Sequence, residues 1–218
     1  MTEIINAFLV TYAALFPIVN PLGSALTFLG LTSHYSREAR DDLSRRVAIN
    51  GFLLLLGSLL IGSHVLQFFG VTLPVVRVAG GLVVLSFSWQ LLNSGGAVDR
   101  KAIGPVSDRQ YLSEVFYPLT MPLTVGPGSI AVAITLGSER PNGSAGLAYI
   151  ALFTGASVAG LVAIAVTVFF CYRFAENIEK LLGEMGMNVL IRLLAFLLLC
   201  IGIEILWSGV SELVATMR

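Results

Sequence analysis

Hydrophobic residues are arranged in six long runs along the chain, and each run is bounded by a shorter polar segment. A helix needs about 20 predominantly apolar residues to cross the roughly 30 Å hydrocarbon core of a bilayer. Each run reaches about that length, so the pattern predicts an all-α membrane protein with six transmembrane helices. The predicted spans are residues 4–31, 47–69, 73–92, 115–136, 145–172 and 189–210.

The longest polar segment, residues 93–113, contains Gly95, Gly96, Gly104 and Pro105 and reads as the main linker. It divides a single membrane domain into a first group of three helices at residues 1–96, a cytoplasmic linker at 97–113 and a second group of three helices at 114–218.

Two shorter connections also carry structural signals. Ser36 is a candidate N-cap for a helical turn that leads into the second span. Residues 173–187 alternate apolar and charged side chains, which favours a short amphipathic helix in the membrane interface. A plain connecting loop with a few apolar residues fits this segment equally well.

Two sequence motifs recur in the two halves of the chain. The segment FPIVNPL at 16–22 is similar to YPLTMPL at 117–123, with each proline displaced by 101 positions. The segment VVR at 75–77 is similar to LIR at 190–192. Because each half has an odd number of spans, the halves enter the membrane in opposite directions. The pattern therefore predicts an inverted-topology repeat, which is common among secondary transporters.

The proline motifs predict that spans one and four are broken. Proline removes a backbone donor and clashes with the preceding helical turn. The expected breaks cover residues 17–24 and 118–129. Gly126-Pro127-Gly128 adds a further irregularity, so a re-entrant segment is a second interpretation of span four. Simple kinks are the alternative. Breaks at matching positions favour a binding site, because freed backbone groups at membrane depth need a protein cavity.

Such a site suits a small zwitterion. The helix starts near Ser24 and Ser129 present unpaired N–H groups that attract a carboxylate, and the carbonyls before each break suit an ammonium group. The predicted substrate-binding residues are Asn20, Pro21, Gly23, Ser24, Thr27, Thr120, Pro122, Thr124, Gly126, Gly128 and Ser129.

Four ionisable residues within the spans are candidates for gating or ion coupling: Arg77, Arg192, Glu204 and His64. Charge in the hydrocarbon region is costly and usually faces a cavity or a partner. The structural alternatives are that both arginines extend to the interface, that Glu204 pairs with Arg77, and that His64 is an interfacial residue.

Composition narrows the class of function. Hydrophobic residues make up 56% of the chain and charged residues 12%, and the net charge is zero, which argues against nucleic acid as a partner. The spacing of Cys171 and Cys200 suggests neither a disulfide nor a metal site. The chain has no zinc-protease or nucleotide-binding motif, so we expect no enzymatic activity, no catalytic residue, no metal and no cofactor.

Charge also predicts orientation. With the N-terminus outside, the cytoplasmic connections hold nine Lys and Arg residues, whereas the opposite side holds Arg140 and Arg218. Positive residues concentrate on the cytoplasmic side, so both termini are expected to face outward. The N-terminal segment carries Glu3 and lacks the basic region of a cleaved signal peptide, so we expect it to be retained.

The chain resembles the MarC family of bacterial inner-membrane proteins over essentially its whole length. The motifs that carry the resemblance are NPLG at 20–23 with FLGLT at 28–32, FGVTLP at 69–74 with RVAGG at 77–81, PLTMP at 118–122 with GPG at 126–128, and GEMGMN at 183–188 before Arg192. The resemblance implies a multi-pass protein of the bacterial cytoplasmic membrane with six spans and outward termini. It also implies transport of small neutral amino acids such as glycine and alanine, which is attributed to the SnatA-type members.

These observations together predict a secondary transporter for small neutral amino acids that works by alternating access in a lipid bilayer, with a proton or sodium ion as a possible coupling partner. The alternatives are a channel or exporter for another small polar solute and a membrane scaffold without transport activity. The sequence leaves the oligomeric state and the direction of transport open.

Overall fold

The computed structural model describes residues 2–93, 115–138 and 147–216, and this part of the chain folds into helices joined by short turns. The helices are α1 (Thr2–Val19), α2 (Pro21–Leu31), α3 (Arg37–Phe68), α4 (Leu73–Asn93), α5 (Val115–Thr124), α6 (Pro127–Ser138), α7 (Leu147–Arg173) and α8 (Ala175–Thr216). The predicted linker at 97–113 lies outside the described residues.

The helices confirm a multi-pass membrane protein. Five helical segments are long and apolar enough to cross a bilayer, and α5 with α6 forms a sixth if this bent pair is counted as one span. The segment Glu3–Leu31, which contains α1 and α2, passes as one candidate span. Large apolar side chains such as Leu82, Trp89 and Trp207 lie on the outside of the molecule, where lipid is the solvent.

Two of the predicted connections are helical. The Ser36 hydroxyl accepts a hydrogen bond from the Ala39 amide at 3.2 Å, so the predicted cap is confirmed and α3 begins ten residues before the predicted span. Residues 175–187 are also helical, which makes the plain-loop interpretation wrong. A break in this stretch occurs at Gly183, whose φ of 64° is a left-handed conformation that glycine adopts without a Cβ clash.

Asn20 separates α1 from α2 inside the first candidate span. Its φ of 48° and ψ of 58° lie in the left-handed region, and its side-chain oxygen accepts a hydrogen bond from the Gly23 amide at 3.2 Å. Pro21 occupies the first position of α2, where a missing N–H costs no helical bond. A Cβ at Gly23 would lie 2.3 Å from the side-chain nitrogen of Asn20, so glycine leaves room for the capping side chain.

The α5–α6 segment departs further from a regular helix. Tyr117 and Met121 have extended backbone angles because each precedes a proline, which disfavours the helical conformation. Hydrogen bonds in α5 reach back five residues, as in the 2.9 Å bond from the Val125 amide to the Thr120 carbonyl. The axes of α5 and α6 differ by 69°.

Most of the buried core belongs to α1, α2, α3, α5, α6 and α7, and includes Leu15, Leu43, Leu119 and Leu161. Helices α4 and α8 form an antiparallel pair beside this core and pack most extensively against each other. We call these two helices the α4/α8 pair. Glycines permit their close approach: a Cβ at Gly81 would lie 2.7 Å from the Leu206 amide nitrogen, and one at Gly202 would lie 3.1 Å from that of Leu85.

We expect Gly81→Ala to destabilise the protein, because the added methyl group would meet the backbone of α8 and force the α4/α8 pair apart. The expected loss is about 1–3 kcal/mol, as for other overpacked helix contacts. Gly57→Ala is the matched control: a Cβ there meets nothing within 4 Å, and alanine is the better helix former. Thermal unfolding of both variants in detergent measures the difference, and equal melting temperatures would contradict the proposed close contact.

Asn20 allows a second stability test at the α1–α2 junction. Asn20→Ala loses the cap and the local side-chain hydrogen bond with which asparagine tolerates the left-handed region, so we expect a loss of about 2 kcal/mol. Asn20→Gly also loses the side-chain cap but tolerates the backbone angles, so we expect it to retain most of the stability. The order of the two melting temperatures tests whether the backbone at residue 20 is left-handed; a regular helix there would favour alanine.

Candidate functional site

The α1–α2 and α5–α6 junctions line one small cavity beside the α4/α8 pair. Its volume is about 70 Å³. The lining residues are Ile18, Val19, Ser24, Val83, Val84, Phe87, Pro122, Leu123, Thr124, Gly126, Pro127, Gly128, Ser129 and Leu198. Six of the predicted substrate-binding residues therefore meet in one place: Ser24, Pro122, Thr124, Gly126, Gly128 and Ser129.

Ser24 connects the two junctions directly. Its hydroxyl oxygen lies 3.2 Å from the carbonyl oxygen of Val19, at the end of α1, and 3.2 Å from that of Leu123, near the end of α5. A hydroxyl group has one hydrogen to donate, so the two carbonyls share it. Both carbonyl oxygens therefore keep capacity to accept another hydrogen bond.

Thr124 is held on the other side of the cavity by two hydrogen bonds. Its hydroxyl donates to the Leu119 carbonyl at 2.7 Å, and the same oxygen lies 2.7 Å from the Tyr172 hydroxyl. Because the single hydrogen of Thr124 points to Leu119, the Tyr172 hydroxyl is the donor in the second bond. The Tyr172 ring is buried and stacks on Phe28, with the ring centres 4.5 Å apart.

The start of α6 contributes backbone groups. Gly128 and Ser129 belong to the first turn of α6, where amide groups have no partner within the helix. The Ser129 hydroxyl donates to the Gly126 carbonyl at 2.9 Å. A Cβ at Gly128 would lie 2.2 Å from a methyl group of Val84, so glycine lets α4 approach the cavity wall.

The other predicted site residues do not line the cavity. Asn20 and Gly23 form the cap that starts α2. Pro21 is buried at the first position of α2, and Thr27 lies half-buried one turn beyond Ser24. Thr120 is fully buried, and its hydroxyl donates to the Val115 carbonyl at 2.7 Å. These residues shape the junctions that carry the lining groups.

Sequence reasoning missed the contribution of the α4/α8 pair to the cavity, namely Val83, Val84, Phe87 and Leu198. Apolar residues that face a cavity cannot be distinguished by pattern from those that face lipid. Tyr172 was also missed, although a phenol at the end of an apolar run signals a buried hydrogen-bond partner.

The cavity lining is neutral, since none of the residues that line it is Asp, Glu, Lys, Arg or His. The four candidates for gating or coupling lie elsewhere. Arg77 forms an ion pair with Glu212 at 2.5 Å, two turns of α8 beyond Glu204. His64, Arg192 and Glu204 are exposed on their helices. A gating or coupling role for these four residues stays a prediction.

Comparison with known proteins places the chain among bacterial inner-membrane proteins. It is 28% identical over 221 residues to the UPF0056 inner membrane protein MarC of Salmonella paratyphi B, with 99% of each chain covered. The protein of the same name from Escherichia coli O1:K1 gives the same identity and coverage. A UPF0056 membrane protein of Buchnera aphidicola is 29% identical over 202 residues, which cover 93% of this chain and 90% of the relative.

No solved structure matches the chain. The family model described as "MarC family integral membrane protein" matches residues 5–214, which include every residue that lines the cavity. The names of the relatives agree with the multiple apolar helices, and together they indicate a multi-pass protein of the inner membrane. The chain belongs to the MarC family of integral membrane proteins.

Proposed function

We propose that this protein is a secondary transporter for small neutral amino acids such as glycine and alanine, and that it works by alternating access rather than as an enzyme. The observation that carries the proposal is the position of Ser24, whose hydroxyl group touches carbonyl oxygens from both helix junctions. Backbone acceptors from both halves of the chain therefore meet at one cavity inside a membrane protein.

The chemistry of the cavity favours a small zwitterion. The Val19 and Leu123 carbonyls can accept hydrogen bonds from an ammonium group, and the first-turn amides at Gly128 and Ser129 can donate to a carboxylate. The lining carries no charged residue, so a ligand whose own two charges balance adds no net charge to the buried site.

The size of the cavity favours a ligand with few atoms. A water molecule needs roughly 10–15 Å³ of such space, and the cavity volume is about 70 Å³. The cavity therefore has room for roughly five groups the size of a water molecule. Glycine and alanine are ligands of about that size.

Helix pairing supports the proposed inverted repeat, in which α1 with α2 corresponds to α5 with α6, α3 to α7 and α4 to α8. Such a repeat pairs α4 antiparallel with α8, and Gly209 indeed lies beside Pro74 and Val78 while Gly202 lies beside Leu85. It also requires that packing of α3 on α5 and α6 is matched by packing of α7 on α1 and α2. Both contacts are extensive.

The helix directions in these matching contacts also agree. Along α3, Gly51 lies beside Val125, just before α6, and Gly62 lies beside Ile134 of α6, so the chain from Val125 into α6 runs the same way as α3. Along α1, Glu3 contacts Tyr149 and Tyr12 contacts Thr167, so α1 and α7 also run the same way. In the proposed mechanism the two halves of the chain move against each other about the α1–α2 and α5–α6 junctions. A proton or sodium gradient supplies the driving force.

The test is exchange of labelled glycine and alanine by purified protein in proteoliposomes, with and without imposed proton and sodium gradients. We expect saturable, stereoselective flux. Ser24→Ala should lower it about tenfold, equivalent to about 1.4 kcal/mol, because both carbonyls at the junction lose their donor. Ser33→Ala is the matched control, since the exposed Ser33 hydroxyl bonds only locally, to Gly30 at 3.0 Å.

Other outcomes separate the competing functions. Flux that does not saturate, or that ignores stereochemistry, would indicate a channel for small polar solutes. Absence of flux in folded wild-type protein, with a Ser24→Ala phenotype no different from that of Ser33→Ala in cells, would indicate a scaffold instead.

We also propose that both termini face outward, as the distribution of Lys and Arg predicts. In a variant without Cys171 and Cys200, a cysteine at Ser33 should react with membrane-impermeant maleimide only from the cytoplasmic side. A cysteine at Thr72 should react only from the outside. Both positions are exposed and lie on turns at opposite ends of α3. The reverse labelling pattern would invert the topology.

A further inference from the structure

The junction of α7 and α8 connects the cavity to the N-terminal end of α3. We call residues 172–176 the α7–α8 corner. Helix α7 ends at Arg173 and α8 begins at Ala175, so only Phe174 separates them. Tyr172 points to Thr124 at the cavity, whereas the next residue, Arg173, lies 3.4 Å from the carboxylate of Asp41 on α3.

A second ion pair holds the corner to the same part of α3. The Arg40 guanidinium donates to the Glu176 carboxylate, and both side chains are partly buried. Ala175, between the two ion pairs, is also buried. By contrast, α7 and α8 make few contacts with each other. The corner is therefore held by charged contacts to α3 more than by packing between its own helices.

Tyr172 connects the two ion pairs of the α7–α8 corner to the cavity. It donates to the Thr124 hydroxyl, and its ring stacks on Phe28 of α2. Three elements that line or flank the cavity, α2, α5 and α7, thus meet at one aromatic side chain. A displacement of the corner that moved Tyr172 would remove the donor to Thr124 and the stacking surface of Phe28 together.

We infer that the α7–α8 corner is the element that closes the cavity on this side of the protein, and that Tyr172 is a positioning residue that couples this closure to Thr124. The ion pairs Arg40–Glu176 and Arg173–Asp41 hold the corner shut. They are partly exposed, and such pairs contribute modestly, so the corner can open without unfolding. This inference deepens the alternating-access transport proposed above and rests on it for its role, but the closure itself can be measured without any transport.

The test uses a reporter cysteine at Val84, a buried cavity residue, in full-length protein that lacks Cys171 and Cys200. Membrane-impermeant maleimide is applied from each side of the membrane in turn, without substrate. Glu176→Arg should accelerate labelling from the side of the α7–α8 corner up to roughly fivefold, the range for one partly exposed ion pair. The double variant Arg40→Glu with Glu176→Arg exchanges the two charges and keeps the ion pair, so it should restore slow labelling.

Tyr172→Phe tests the coupling step, because it keeps the ring on Phe28 and removes the donor to Thr124. It should accelerate labelling from the same side even though both ion pairs remain. The matched control is Tyr12→Phe, which removes another interhelical tyrosine bond, 3.2 Å from Tyr12 to Thr167, away from the corner. That variant should label at the wild-type rate.

The outcomes distinguish this inference from the proposed function. Unchanged labelling in Glu176→Arg and Tyr172→Phe, with melting temperatures like that of the wild type, would overturn the closing role. Acceleration in Tyr12→Phe as large as in Tyr172→Phe would show general loosening and also overturn it. The expected labelling pattern in a protein without amino acid flux would support the corner as a closing element and reject the proposed substrate class.

Discussion

The constraint on which the rest of the structure depends is that backbone polar groups within a membrane must find partners inside the protein. Helices satisfy it automatically, but the α1–α2 and α5–α6 segments do not, because prolines remove donors and change the local backbone angles. Side chains supply hydrogen bonds to the backbone at both junctions. Asn20 bonds the Gly23 amide, Ser24 meets two carbonyls, and Thr120 and Thr124 bond carbonyls in α5. Two of these hydroxyl groups, those of Ser24 and Thr124, also line the cavity and contribute to its polarity.

Close packing of helices places the α1–α2 and α5–α6 junctions beside the small cavity. Gly128 allows Val84 of α4 to approach the start of α6, and Gly81 and Gly202 allow α4 and α8 to approach each other. Larger residues at these positions would push the α4/α8 pair away from the junctions. Because hydrophobic driving force between helices is absent in lipid, small residues and hydrogen bonds provide most of the association. The size of the cavity is therefore a consequence of where the glycines lie.

The sequence predicted the helices well because membrane spans depend on a simple quantity, the length of an apolar run. Its proline motifs also lie within the α1–α2 and α5–α6 segments, where proline acts on the local backbone. The site was predicted less completely. Asn20 and Thr120 are conspicuous polar residues in apolar runs, yet they bond their own junctions and do not line the cavity. Conversely, Phe87 and Leu198 line it, but their apolar side chains give no signal that separates a cavity from lipid. Tyr172 bonds a residue 48 positions away, and such a contact depends on how helices are arranged in space.

The hydrogen bonds already present in the cavity also determine how tightly a ligand can bind. Ser24 is engaged with Val19 and Leu123, and Thr124 with Leu119 and Tyr172. A ligand that enters must exchange some of these bonds for its own, and the net gain is about 1 kcal/mol for a bond between neutral groups and about 1.5–3 kcal/mol for a bond to a charged ammonium or carboxylate. A charged lining would hold an opposite charge more strongly still, because two ionised partners also attract each other directly. For a transporter this difference matters, because a substrate has to leave the site as readily as it enters. In the proposed transporter, a neutral cavity lined by hydroxyl groups and backbone would meet that requirement, and its small volume would provide the selectivity.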